Sequence, residues 1–405
     1  MLAGTLVKAL DLSEQRISVA RMTRPHPIRF GQVHSFAQSL FESDLHAKRV
    51  LSIANATLGV VYGASLAIHS IGCALAAARG LKKKHAVKQV DRLLSNTGVN
   101  VSRLFAKWVP FIVGARPEIT VALDWTEHDH DDHSTIALNL ITSHGRATPL
   151  LWLTVVKSKL LGNRNAHEDR LLQRFREVLP EGVKVTILAD RGFGDQKLYE
   201  LLATLGFDYV VRFREIIRVT DAGGNAGPAS SWVLPRGRPQ MLKNASVTQD
   251  DFSVPAVVVV KASGMKEAWC LATSRSDLTA SVVVKLYGKR FTIEENFRDT
   301  KDIHFGLGLS ATHIGATDRR DRLLLLCALA VALLTLLGAA GESLGYDRWI
   351  KVNTAKKRTH SLFRQGQEYY ALIPNMKEEE LVPLMEKFGQ LVAEQPACLE
   401  AFGLL

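Results

Sequence analysis

The stretch EITVALDWTEHDHDDHSTIALNL, residues 118–140, begins and ends in apolar runs with a crowded polar segment between them. Apolar runs rich in β-branched residues suit strands. Residues 127–133 therefore read as the polar tip of a hairpin, and Asp124 as the acid that closes the buried strand ITVALD. From Leu123 to Thr135 the chain carries five acids and three histidines. Histidine and aspartate are good zinc ligands, so a zinc site is one reading. Alternation in a tight turn points neighbours apart, which favours the solvated tip.

Working outward, TPLLWLTVVK follows as another strand, joined to the hairpin through HGRA. NAHEDRLLQRFREVL is an amphipathic helix stopped by Pro180, VKVTILAD a buried strand, DQKLYELLATLG a helix and FDYVVRFRE a strand. Three strands in hairpin order, then helix–strand–helix–strand, describe an α/β fold: a mixed sheet with helices on its faces. The order resembles the ribonuclease-H-like fold. Residues about 216–274 are rich in Gly, Pro, Asn and Ser with scattered strand signals, and read as a β-rich insertion.

Before Pro117 the pattern is helical and Ala- and Leu-rich. Lys84, Lys88 and Arg92 recur every four residues, so they share one helical face. Asn96 and Gly98 mark a stop, and Ser102 is placed to cap the next helix. Basic face, turn and second helix suit a DNA-binding unit, or equally a solvated face. The expected organisation is an all-α N-terminal DNA-binding region (1–115), a ribonuclease-H-like catalytic domain (116–385) and a C-terminal tail (386–405).

The composition is that of an ordinary folded chain, 47% hydrophobic and 22% charged, which excludes a disordered or low-complexity protein. Lys and Arg number 51 against 40 Asp and Glu, a net charge of +11 that favours a polyanionic partner, nucleic acid first. Cys73, Cys270, Cys327 and Cys398 form no CxxC pair and read as reduced thiols of a cytosolic protein. The N-terminus lacks the pattern of a signal peptide. Leu323–Ala340 is an apolar run near the lower limit for a membrane span, and with TDRRDR directly before it reads as a buried core helix. A membrane-associated protein is the alternative that rests on this run alone.

Two acids close buried strands: Asp124 and Asp190, the latter in VTILAD before RGFG. Ligands of open α/β sheets bind at the C-terminal ends of strands. Two carboxylates on neighbouring strands would repel one another and favour a bound divalent cation. A turn-initiating aspartate is the plainer reading of each alone. Farther on, LYGKRFTIEENFRDTKDIHFG places Tyr287, Arg290, Glu294 and Lys301 at offsets of three, seven and fourteen. On one helix these fall within an arc of about 60°. Glu295 points away, and Gly288 weakens the helix.

This spacing, Tyr-x2-Arg-x3-Glu-x6-Lys, resembles the YREK signature of the DDE transposases of the insertion-sequence-four family. ITVALDW and ILADRGFGD resemble that family's two aspartate blocks, and the likeness covers about residues 117–306. It implies that Asp124, Asp190 and Glu294 hold two Mg²⁺ ions about 3.5–4 Å apart, with Mn²⁺ expected to substitute. It implies cut-and-paste transposition by strand cleavage and strand transfer at terminal inverted repeats, through a hairpin on the transposon end. Tyr287, Arg290 and Lys301 map onto contacts to DNA phosphates. Trp269 resembles a tryptophan that stacks on a flipped base, with Trp232 a second candidate and a core tryptophan the alternative for each. The partners implied are double-stranded DNA, both transposon ends and target, and a second copy of the chain in a synaptic dimer, in the bacterial cytosol at the nucleoid and without a membrane. A DNA-binding protein of transposase descent that no longer cuts, and a ribonuclease-H-like nuclease without strand transfer, are the alternatives.

Overall fold

The computed structural model describes residues 28–304 and 306–393. The N-terminal stretch read for a signal peptide, Cys398 and the last part of the expected tail lie outside the described residues. Among the described residues five helices come first: α1 (Phe30–Phe41), α2 (Ala47–Gly63), α3 (Ile68–Arg79), α4 (Lys83–Leu94) and α5 (Val101–Val113). The stop after α4 falls as expected, with the Asn96 side chain accepting from Gly98 N. The next helix is capped by Asn100, whose Oδ1 accepts from Arg103 N, and not by Ser102, which lies inside α5. An Asn side chain at the N-cap satisfies an amide that the helix itself leaves free.

The α/β part follows: β1 (Glu118–His128), β2 (His133–Leu140), β3 (Thr148–Val156), α6 (Arg164–Val178), β4 (Lys184–Ala189), α7 (Gln196–Thr204) and β5 (Asp208–Phe213). Then come β6 (Arg218–Thr220), β7 (Ala226–Pro228), β8 (Gln240–Val247), β9 (Phe252–Val260) and β10 (Trp269–Thr273). All ten strands form one sheet in the order β3-β2-β1-β4-β5-β10-β9-β8-β6-β7. β1, β4 and β5 run parallel, while β2, β3 and the insertion strands pair antiparallel. The insertion thus extends the central sheet through the β5–β10 pairing.

Helices α8 (Ala280–Gly288), α9 (Thr292–Lys301), α10 (Thr317–Ser343), α11 (Leu362–Leu372) and α12 (Glu378–Ala393) complete the described chain. α12 runs across position 386, where a tail was expected to begin. The apolar run lies within α10, the one single helix among the described residues long and apolar enough to cross a membrane, and 89% of its most apolar window is buried. Strand periodicity sorts the core into two layers. Val121, Leu123, Ile187, Ala189 and Val211 join the large core, which also holds the N-terminal helices and α10. Ala122, Leu188, Val210 and Leu271 face the other way, under α8 and α9. The large core runs through residue 115 without a break: Trp108 of α5 is wholly buried and its Nε1 donates to Pro149 O of the sheet at 3.0 Å.

Candidate active site

The same period of two places the acids. Asp124 lies two residues beyond Ala122 and Asp190 two beyond Leu188, so both project from the face covered by α8 and α9. Leu123 pairs with Ala189 at the last step of the β1–β4 ladder, so the two aspartates stand side by side just past it. Asp124 does not end its strand, contrary to expectation. β1 continues to His128 because β2 remains paired with it, through His128↔His133. The hairpin tip shrinks accordingly to a single 3₁₀ turn, Asp129–Asp131, closed by Asp132 in a left-handed conformation.

Glu294 arrives from α9. The helix expected to carry the four signature residues on one face stays helical in its backbone but tightens midway: α8 ends at Gly288, one 3₁₀ turn covers Lys289–Phe291, and α9 starts at Thr292. The tightening follows the weak point at Gly288. The side chains consequently take different roles. Tyr287 and Arg290 are buried, and Glu294 is half exposed. Two contacts far from the acids fix α9 on the sheet: Asn139 Nδ2 donates to Asn296 Oδ1 at 3.0 Å, and Arg146 Nε pairs with Asp299 at 2.5 Å.

Arg290 joins the blocks. Its Nη1 donates to Asp124 Oδ2 at 3.1 Å and its Nη2 to Glu294 Oε1 at 2.5 Å. Asp124 Oδ1 accepts from Trp125 N at 2.8 Å, and Trp125 is itself held from α6, its Nε1 donating to Glu168 at 2.8 Å. Asp190 Oδ1 accepts from Gly192 N at 2.8 Å within its own turn. Burial pushes Asp124 up to about 6; Arg290 pulls it back, and the charges of Asp190 and then Glu294 add to the rise. Asp124 therefore feels the charges of two acids from distant parts of the sequence.

The remaining sequence candidates are distributed around this centre. Trp269 opens β10 half-buried, edge-on to Tyr287 at 4.9 Å and tilted over Phe291 at 5.9 Å. Lys301 Nζ donates to Glu127 O of the hairpin at 2.6 Å. Burial holds its ammonium below the usual lysine range, against the pull of Asp129 and Glu127. Trp232 sits in a 3₁₀ turn of the insertion, packed against the large core. Lys84, Lys88 and Arg92 line a separate groove of about 370 Å³ on the helical part, with Ser52, His85 and Gln89. Sequence reasoning missed Glu168, Asn139 and Arg146, which position the acids and give no motif of their own. It took Arg290 as a DNA contact, and here Arg290 bridges two acids.

The donor set of three carboxylates has the all-oxygen chemistry of a hard divalent cation. A carboxyl raised first by burial and then by two neighbouring negative charges calls for positive charge, and Arg290 supplies it between Asp124 and Glu294. Among the described residues no three His, Cys, Asp or Glu side chains already stand close enough to hold an ion. That includes the hairpin tip, so the zinc reading gains no support.

Two acids side by side where the β1–β4 ladder ends, on one face of a mixed sheet carrying helices, define an α/β fold of the ribonuclease-H-like class. The family described as Transposase DDE domain matches residues 120–333, and the chain belongs to it. Members of that family act on DNA and generally use a divalent metal. The sequence matches no curated protein.

Proposed function

We propose that this chain is a cut-and-paste transposase of the insertion-sequence-four type, which cleaves DNA at its element's terminal inverted repeats and joins the freed ends to target DNA. One observation carries the reading: Arg290 ties Asp124 to Glu294 beside Asp190, bringing the three acids of the YREK and aspartate blocks to one face of the sheet. Asp124, Asp190 and Glu294 would hold Mg²⁺, with Mn²⁺ substituting, and the metal would supply Lewis-acid activation of a water or 3′-hydroxyl and stabilisation of the leaving oxygen. The protein's own part is to hold the acids rigidly and to orient the strand.

Arg290 offers a bidentate fork and Lys301 a point charge to phosphates once DNA draws them from their internal partners. Tyr287 buttresses Trp269, whose open face suits stacking on an extruded base. The groove of Lys84, Lys88 and Arg92 would follow the DNA backbone away from the cut. The active form is a dimer on two ends, in the bacterial cytosol at the nucleoid, with α10 as a core helix and no membrane.

Incubating the protein with linear DNA that carries the terminal repeats flanking its gene, plus Mg²⁺, tests the reading. Nicks followed by joined products support it. Bound but uncut DNA points to an inactive descendant, and cuts without joining to a nuclease.

A further inference from the structure

The row that carries Asp124 and Asp190 continues onto the next strand. Ala189 pairs with Val211, so Arg212 stands one step beyond the β4–β5 ladder, just as Asp190 follows Ala189 and Asp124 follows Leu123. Val210 and Leu271 mark the face of α8 and α9, and Arg212 shares it by the period of two. Neighbouring strands lie about 5 Å apart, so Arg212 is roughly 10 Å across the sheet from Asp124. Arg191, directly after Asp190, reaches the same spot from the adjoining turn.

A single carboxylate occupies both guanidiniums. Glu267 Oε2 accepts from Arg191 Nη1 at 2.7 Å and from Arg212 Nη2 at 2.8 Å. Glu267 lies in the loop before β10, two residues from Trp269, and about half of its side chain is exposed. Arg212 is mostly buried, and its Nε has no hydrogen-bond partner. Arg212 Nη2 also donates to Ala268 O at 3.4 Å. A buried guanidinium with an unused donor still has hydrogen-bonding capacity that these two acceptors do not fill. A phosphate, with several acceptor oxygens, would satisfy both arginines more fully.

We propose that Arg191 and Arg212 form a site for a phosphodiester of the DNA strand passing Asp190, and that Glu267 fills this site in the DNA-free protein. The proposal rests on the reading of the chain as a DNA-cutting transposase. Binding DNA then requires Glu267 to be displaced, so the glutamate weakens binding and sets a threshold that only a strand reaching the acids overcomes. Its position beside Trp269 couples its release to the arrival of a base there.

The test measures binding of labelled duplex DNA carrying the terminal repeat, without divalent metal, over a series of salt concentrations. It compares wild type, Glu267→Gln, Arg191→Ala and the double variant. Glu267→Gln should bind roughly three- to tenfold tighter, with a salt slope steeper by about one. In the Arg191→Ala background that gain should shrink, because one of the two donors it frees is gone. A gain that persists in full there is a general charge effect and overturns the proposal, as does unchanged or weaker binding by Glu267→Gln while wild type binds well. If wild type and all variants fail to bind DNA, the transposase reading falls too. Both substituted side chains are about half exposed, and a melting curve for each variant confirms that the comparison is between folded proteins.

Discussion

At Asp124 one arginine serves two carboxylates, with Asp190 beside them; a few residues along the same strand, at the hairpin tip, the acids are denser and each has a partner. Lys157 Nζ bridges Glu127 and Asp129, each at 2.6 Å. Asp132 accepts from Ser158 through both its backbone amide and its hydroxyl. Asp131 pairs with the fully buried Arg320, and also accepts from Ile314 N at 3.0 Å. His133 Nδ1 accepts from Arg320 Nε at 3.0 Å, and burial above all pushes the neighbouring His128 down to about 3, so it stays neutral. Crowding of charges in sequence therefore marks structure at the tip. Sharing of too few counter-charges marks Asp124 as the place of the proposed chemistry.

The largest effect should separate the two regions by activity. Glu294→Gln keeps the shape of the side chain and one acceptor for Arg290, but removes a charge needed for cation binding. Losing several kcal/mol of charge stabilisation corresponds to on the order of a thousandfold or more in cleavage rate. DNA binding and melting temperature should stay near wild type. A variant that cuts at the normal rate would falsify the assignment of Glu294. Arg320→Met should do the reverse. Removing one partner of a buried ion pair leaves Asp131 uncompensated and costs on the order of 3–5 kcal/mol. Thermal or urea unfolding should show that loss, while cleavage per folded molecule changes far less than with Glu294→Gln. If Arg320→Met melts like wild type, the tip is not the structural clamp described here.

How far the sequence anticipates this arrangement differs between the two regions. The mixed sheet, the side-by-side aspartates and the place of the insertion follow from strand periodicity and order, which are local signals. The tightening after Gly288 has a local sign as well, the low helix propensity of glycine. The continuation of β1 past Asp124 does not, because it depends on pairing with β2. The partners at the tip are equally hidden: Arg320 lies far along the chain, before an apolar run that looks like a membrane segment until its packing is seen. Nor does any motif announce Glu168, Asn139 or Arg146, whose work is to hold other residues in place. Such long-range pairings come from tertiary packing, which a single sequence leaves open.

Asp321 offers the smallest and most discriminating test, because it resembles Asp124 in one respect only. Burial pushes its carboxyl up to about 7, against the hydrogen bonds of Thr154, whose amide donates to Oδ1 at 3.0 Å. Asp318 adds to the rise and Arg322 opposes it. Asp124 is also raised, but it has two acidic neighbours on its own face of the sheet and an arginine between them. A raised acid alone thus does not locate an active site. Because the folded form of Asp321 holds its proton more tightly than the unfolded chain does, its contribution to stability is full below the ordinary aspartate range near 4. It is lost as pH rises through about 7. Asp321→Asn keeps the acceptor for Thr154 and cannot ionise. The variant should match wild type near pH 4 to 5 and melt at a higher temperature at pH 8, with the gap opening between. Parallel melting curves across that range would show that Asp321 does not ionise in the fold. Cleavage at pH 8 should be unchanged by the substitution, whereas Asp124→Asn should abolish it: two buried acids, one adjusting stability and the other performing the reaction.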